Sequence, residues 1–151
     1  MTTTSSQYTL PEYPILLVED NFDDILITKR AMAKGRISNK LYIVHDGEEA
    51  LDFFRKQGKY KDAPTPTLVL LDLKMPKLDG FGVLKVVKSD ENLKSIPIIV
   101  LTSSERDKDI DLAYKLGANN YIMKPVNFDS FIKTIISIKY YWLTISKVPA
   151  P

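Results

Sequence analysis

The 151-residue chain fits one domain of ordinary size, and with 44% apolar residues it can build a full core without staples. It has no cysteine, which excludes thiol catalysis, thiolate-bound zinc and disulfides. The formal charge of +2, from 21 basic and 19 acidic residues, is too balanced to imply nucleic acid, and no apolar run approaches the roughly 20 residues of a membrane span.

In chain order, residues 1–11 belong to a Thr/Ser-rich stretch without a signal pattern and read as a flexible arm of a soluble, cytoplasmic protein. The first buried-strand run, 15–18, ends in Glu19-Asp20. A helical pattern over about 22–34 offers Phe22, Ile25, Leu26, Met32 and Ala33, with Asn21 as N-cap and Asp23 and Asp24 in the first turn. A second strand at 41–44 is followed by the lone histidine, His45, which is read as a loop residue away from the other polar strand ends. A helix over about 47–57 buries Ala50, Leu51 and Phe54, and the stretch Gln57–Thr67, with Gly58, Pro64 and Pro66, is a loop. The third strand, 67–71, ends in Asp72 and precedes a helix over about 80–89 carrying Phe81, Val83, Leu84 and Val87. The fourth strand, 96–101, ends in Thr102-Ser103; the helix over about 105–116 carries Ile110, Ala113 and Leu116, with Gly117 as its C-cap glycine. The fifth strand, 121–123, ends in Lys124-Pro125. A last helix over about 127–145 has a core stripe of Phe131, Ile132, Ile135 and Ile138, and further apolar residues, among them Tyr140, Tyr141 and Trp142, on other faces. Residues 12–146 therefore form a single domain and 147–151 a tail.

Alternation of strand and helix predicts an α/β fold: a doubly wound, five-stranded parallel sheet with helices on both faces. The strand order is not written in the sequence. A flavodoxin-like order, 2-1-3-4-5, places the switch point between strands 1 and 3, where ligands bind in open α/β sheets.

Those strands end in Glu19-Asp20 and Asp72. Three carboxylates in one pocket repel each other unless a cation sits among them, and a hard divalent ion such as Mg²⁺ takes oxygen ligands of this kind. Asp20 alone would serve equally as a helix cap. A carboxylate can act as a nucleophile towards phosphorus, and the transferred group then needs a metal, a fixed cation and a hydroxyl donor. Taken singly, Thr102 would satisfy a loop backbone and Lys124 would be a solvated cation. Standing together at strand ends beside the carboxylates, they point to a phosphoryl group.

The pieces Ile15-Leu-Leu-Val-Glu-Asp-Asn21, Leu70-Leu-Asp-Leu-Lys-Met-Pro76 with Asp79-Gly80, Val100-Leu-Thr-Ser-Ser104 and Gly117-Ala-Asn-Asn-Tyr-Ile-Met-Lys-Pro125 resemble a response-regulator receiver domain, the phosphoacceptor module of two-component signalling. The resemblance covers about residues 12–140. It implies Asp72 as the phosphorylated residue, with Asp20, Asp72 and the backbone carbonyl of Lys74 as Mg²⁺ (or Mn²⁺) ligands and Glu19 acting mainly through water. It implies Thr102 and Lys124 as phosphoryl ligands, Tyr121 as an aromatic switch that turns inward when Thr102 moves to the phosphate, and a Lys124–Pro125 bond that is cis in many relatives. The implied partner is a sensor histidine kinase or phosphotransfer protein. Lys74 and Ser104 stand where they would modulate water attack on the phosphoaspartate. The tail with Tyr141-Trp142-Leu143 and the loop around Gly58-Lys-Tyr60 also resemble stand-alone regulators that work beside bacteriophytochrome kinases.

The receiver accounts for nearly the whole chain, so output is expected through a partner protein or a homodimer built on Tyr140, Tyr141 and Trp142, without direct nucleic-acid or membrane contact. Two other chemistries fit less well. A haloacid-dehalogenase phosphatase wants a second Asp where Lys74 stands, and an FMN protein wants a phosphate loop where Glu19-Asp20-Asn21 would repel phosphate. A receiver-shaped scaffold that binds without phosphorylation is the remaining alternative.

Overall fold

The computed structural model describes residues 13–35, 37, 39–124, 129, 133 and 134. The arm at 1–11, the last helix apart from residues 129, 133 and 134 and so with it Tyr140, Tyr141 and Trp142, the tail at 147–151 and the geometry of the Lys124–Pro125 bond lie outside the described residues.

Short β-branched runs form the five strands, β1 (Ile15–Val18), β2 (Leu41–Val44), β3 (Leu68–Asp72), β4 (Ile98–Thr102) and β5 (Asn120–Met123). All pair in parallel, in the order β2-β1-β3-β4-β5. The described helices are α1 (Phe22–Lys34), α2 (Gly47–Arg55), α3 (Gly80–Ser89) and α4 (Asp107–Lys115). Three of them start at a side-chain cap: the carboxamide or carboxylate oxygens of Asn21, Asp46 and Asp79 accept the N–H of Asp24, Glu49 and Gly82, at 2.9, 2.7 and 2.9 Å. At the end of α4, Gly117 takes φ +108°, a region that disfavours any side chain, as the expected C-cap glycine requires.

Alternate strand residues feed two cores, because successive side chains point to opposite faces. Leu16, Val18, Val69, Leu71, Ile98 and Val100 pack with Phe53 and Phe54 of α2, Val83, Leu84 and Val87 of α3 and Ala113 of α4. Ile15, Leu17, Leu68, Leu70, Ile99 and Leu101 pack with Ile25, Ala31 and Met32 of α1. Both faces of every central strand are thus covered, which is why these runs are continuously apolar rather than alternating.

Two details differ from the sequence reading. In α1 the buried positions are Ile25, Thr28, Ala31 and Met32, whereas Phe22 is 71% exposed and Ala33 faces solvent. Residues 25, 28 and 32 share one helical face, and Thr28 is tolerated there because its hydroxyl donates to the Asp24 carbonyl at 2.9 Å. Second, β3 and β4 run one residue beyond their apolar runs. Asp72 pairs with Leu101 and Thr102 with Met123, so the backbone ladder carries both polar residues as strand positions.

The segment after β3 returns tightly. Gly80 donates to the Leu73 carbonyl at 2.9 Å, and a Cβ at Gly80 would stand 2.4 Å from the Asp72 carbonyl oxygen. The start of α3 is therefore pressed against the backbone that bears Asp72, and only glycine fits there.

Candidate functional site

At the carboxyl edge of the sheet, β1 delivers Glu19 and Asp20, and the neighbouring β3 delivers Asp72. One ligand oxygen from each lies within 4.8 Å of the others. Glu19 is fully buried, Asp72 is buried and Asp20 is exposed. Lys124 reaches the same point from beyond β5, where its N–H prolongs the ladder by donating to the Thr102 carbonyl at 2.7 Å. Its ammonium donates to Glu19 Oε1 at 2.6 Å and to Asp24 Oδ2 at 2.8 Å, and stands 3.6 Å from Asp72 Oδ2. The Lys74 N–H donates a longer bond, 3.3 Å, to Asp72 Oδ1.

Burial pushes the Glu19 carboxyl up to about 7, with the Lys124 bond opposing the shift and the Asp72 charge adding to it. Burial also raises Asp72, against the charge of Lys124. For Lys124, burial works against the charged form, but the bonds to Asp24 and Glu19 and the nearby Asp72 charge outweigh it and hold the ammonium above its ordinary pKa. One cation thus serves a pocket with an excess of carboxylates. That donor set, all oxygen with unrelieved negative charge, fits a hard divalent ion of the Mg²⁺ or Mn²⁺ type and not a soft one.

Thr102 is fully buried, and its Oγ1 accepts the Ser104 N–H at 3.3 Å. Ser104 itself is turned elsewhere than the sequence reading has it. Its buried hydroxyl donates to Asp109 on α4 and accepts the Arg106 N–H, so it is a structural tie of the β4–α4 loop rather than a group directed at Asp72. The Ser104 carbonyl accepts the Tyr121 hydroxyl at 2.9 Å. Tyr121 is half-buried and its ring lies 6.5 Å from that of Tyr114. The ring therefore already leans on the loop that begins at Thr102.

His45 sits outside this constellation, largely exposed, with its N–H donating to Glu49 Oε1 at 2.7 Å. Lys74 is exposed at the rim, as expected for a cation at the entrance. Asp24 was legible only as a dipole-complementing residue, yet it is a principal partner of Lys124. Its spacing gave no further signal, because Asp20 and the Asn21 cap precede the helix, which starts at Phe22. Asp109, in the first turn of α4, is likewise explained in the sequence by the helix dipole alone, and its partner Ser104 lies in a loop.

Residues 15–136 match the response regulator receiver domain family. The chain belongs to that family. The receiver is 38% identical over 140 residues to response regulator Rcp1 of Synechocystis sp., covering 93% of this chain and 95% of Rcp1. Among solved structures it resembles the Mn²⁺-bound form of Rcp1, with 38% identity and TM-score 0.76 over 88% of this chain and 95% of that one. It also resembles the phosphorylated cyanobacterial phytochrome response regulator RcpA, with 39% identity and TM-score 0.78 over 89% and 96% of the two chains. The bacteriophytochrome response regulator AtBRR is 44% identical, with TM-score 0.74 over 83% and 91%. Receiver domains bind Mg²⁺ or Mn²⁺ at an acidic pocket of this kind and interact with histidine kinases or phosphotransfer proteins.

The raised Glu19 pKa has a consequence for the metal-free receiver. Between the ordinary value of 4.5 and about 7 the folded state binds more protons than the unfolded state, so stability falls as pH rises through that window. Asp72 is shifted in the same sense. A bound divalent ion favours the ionised carboxylates and removes this penalty. Saturating Mg²⁺ is therefore expected to raise the melting temperature, relative to chelator, by more at about pH 7 than at about pH 5. An equal or larger Mg²⁺ effect at the lower pH contradicts the assignment.

Proposed function

We propose that this receiver accepts a phosphoryl group from a sensor histidine kinase or phosphotransfer protein onto Asp72, and that its output runs through protein contact in the cytoplasm. The observation that carries the reading is the placement of Asp72: a buried strand-end carboxylate with a metal-type carboxylate cluster on one side and the Lys124 ammonium 3.6 Å away. The phosphorylated and Mn²⁺-bound states named for RcpA and Rcp1 support it.

In the transfer, an Asp72 carboxylate oxygen forms a bond to phosphorus while the phosphorus–nitrogen bond of the donor histidine breaks. The electron pair leaves on the imidazole nitrogen, which takes a proton from solvent. Lys124 offers its remaining N–H to one phosphoryl oxygen. Thr102, whose Oγ1 accepts from Ser104, keeps its hydroxyl proton to donate to another. Asp20, Asp72 and the Lys74 carbonyl would hold Mg²⁺ or Mn²⁺, with Glu19 acting through water, and the bound ion would supply charge neutralisation for the transferred group. Water attack at phosphorus later returns Asp72 and free phosphate, so the receiver catalyses only its own phosphotransfer and dephosphorylation. Drawing Thr102 to the phosphate shifts the Ser104 loop, and Tyr121, bonded to Ser104, carries the change to the α4–β5 face.

Incubation with acetyl phosphate and Mg²⁺ is expected to add one phosphate by intact mass to the wild type and none to Asp72→Asn. A wild type that takes no phosphate, under conditions that label another receiver, supports the scaffold reading instead.

The aromatic run Tyr140, Tyr141 and Trp142 supports a homodimer as the output form. Sedimentation is expected to show a dimeric wild type and a monomeric Trp142→Ala protein. Two monomers end that part of the proposal.

A further inference from the structure

We infer that Asp24 is a positioning residue for phosphoryl transfer: it holds the Lys124 ammonium off Asp72, at a standoff that suits a phosphoryl oxygen rather than the bare carboxylate. The inference rests on the reading of Asp72 as the acceptor.

A lysine ammonium has three N–H donors. Two are spent on Glu19 Oε1 at 2.6 Å and Asp24 Oδ2 at 2.8 Å, while Asp72 Oδ2 at 3.6 Å lies beyond hydrogen-bond range. Glu19 follows β1, directly beside the strand that bears Asp72, and Val18 pairs with Leu71. With Glu19 as its sole anchor, the ammonium would be free to close the 3.6 Å separation and hydrogen-bond the nucleophile directly. Asp24 comes from a different element, the first turn of α1, and competes for the same cation.

Asp24 is itself fixed independently of Lys124. Its N–H donates to the Asn21 cap at 2.9 Å, and its carbonyl accepts the hydroxyl of buried Thr28 at 2.9 Å. The tether therefore has a rigid root. A phosphorus bonded to Asp72 places its oxygens further out than the carboxylate oxygen, into the gap that the standoff preserves, where the third N–H of Lys124 remains to be used.

Asp24 also adds a negative charge near a site that gains negative charge on phosphorylation, and this effect has the opposite sign. Asp24 is partly exposed, so that through-space term is screened, whereas the charge-assisted bond to Lys124 is direct. The positioning effect is expected to win.

The test compares phosphorylation by acetyl phosphate at saturating Mg²⁺ in wild type, Asp24→Asn, Asp24→Glu and Asp23→Asn. Asp23 is exposed and one residue away, so its removal takes the same charge from the same helix turn without touching Lys124. Loss of the charge-assisted bond should slow Asp24→Asn by about tenfold, with Mg²⁺ affinity changed by less than about twofold. Asp24→Glu should recover most of the rate, and Asp23→Asn should match wild type. The inference is overturned by an Asp24→Asn rate equal to or above wild type, by equal losses in Asp24→Asn and Asp23→Asn, by an Asp24→Glu protein as slow as Asp24→Asn, or by a weakened Mg²⁺ affinity that accounts for the slowing. A wild type that takes no phosphate overturns the acceptor reading as well. A labelled wild type with an unaffected Asp24→Asn protein defeats this inference alone.

Discussion

One ammonium holds the functional end of this molecule together. Lys124 is bound by carboxylates from β1 and α1 and lies close to a third from β3, at 2.6, 2.8 and 3.6 Å. Glu19 is fully buried, and a carboxylate left there without a partner would carry most of its desolvation cost. The ion pair therefore contributes less as net stability than as a constraint on geometry. It gathers elements far apart in the chain around one N–H that has no hydrogen-bond partner among the described residues, and there it leaves the pocket with more negative charge than one cation can satisfy. A divalent ion and a phosphoryl group, taken together, complete that set.

The rest of the fold serves to keep these groups in register. Parallel pairing brings the ends of β1, β3, β4 and β5 to one edge, and continuous apolar strands buried on both faces allow no slip that would not expose a core. Gly80 lets α3 begin against the Asp72 carbonyl, so the acceptor's backbone is backed by a helix start. From Thr102 a short path leads outward: Ser104 N–H to Thr102, Tyr121 hydroxyl to the Ser104 carbonyl, and Ser104 hydroxyl to Asp109 on α4. Each bond is local, yet the path connects a buried phosphoryl ligand with a half-buried aromatic ring.

The strands, their parallel alternation with helices and the convergence of Glu19, Asp20, Asp72, Thr102 and Lys124 were legible in the sequence, because continuous apolar runs ending in polar residues are a local pattern. The strand order rested on analogy with flavodoxin-like sheets, since nothing in a run such as Ile15–Val18 names its neighbours. Phe22 was misjudged because helical spacing does not show where the sheet ends beneath the first turn of α1. Asp24 and Asp109 were missed for a common reason. A carboxylate in the first turn of a helix is adequately explained by the helix dipole, and only the fold reveals that one faces Lys124 and the other the Ser104 hydroxyl.

The central claim is that a phosphoryl group on Asp72 is gripped by Lys124 and Thr102 and felt at Tyr121. Titration with beryllofluoride, a non-covalent phosphoryl mimic, in the presence of Mg²⁺ tests it most directly, read by backbone amide NMR shifts. Saturable one-to-one binding is predicted, with the shifts of Thr102, Ser104 and Tyr121 following a single isotherm with those around Asp72. Absence of binding, or shifts that stop at Asp72 while Ser104 and Tyr121 stay unmoved, would contradict the account.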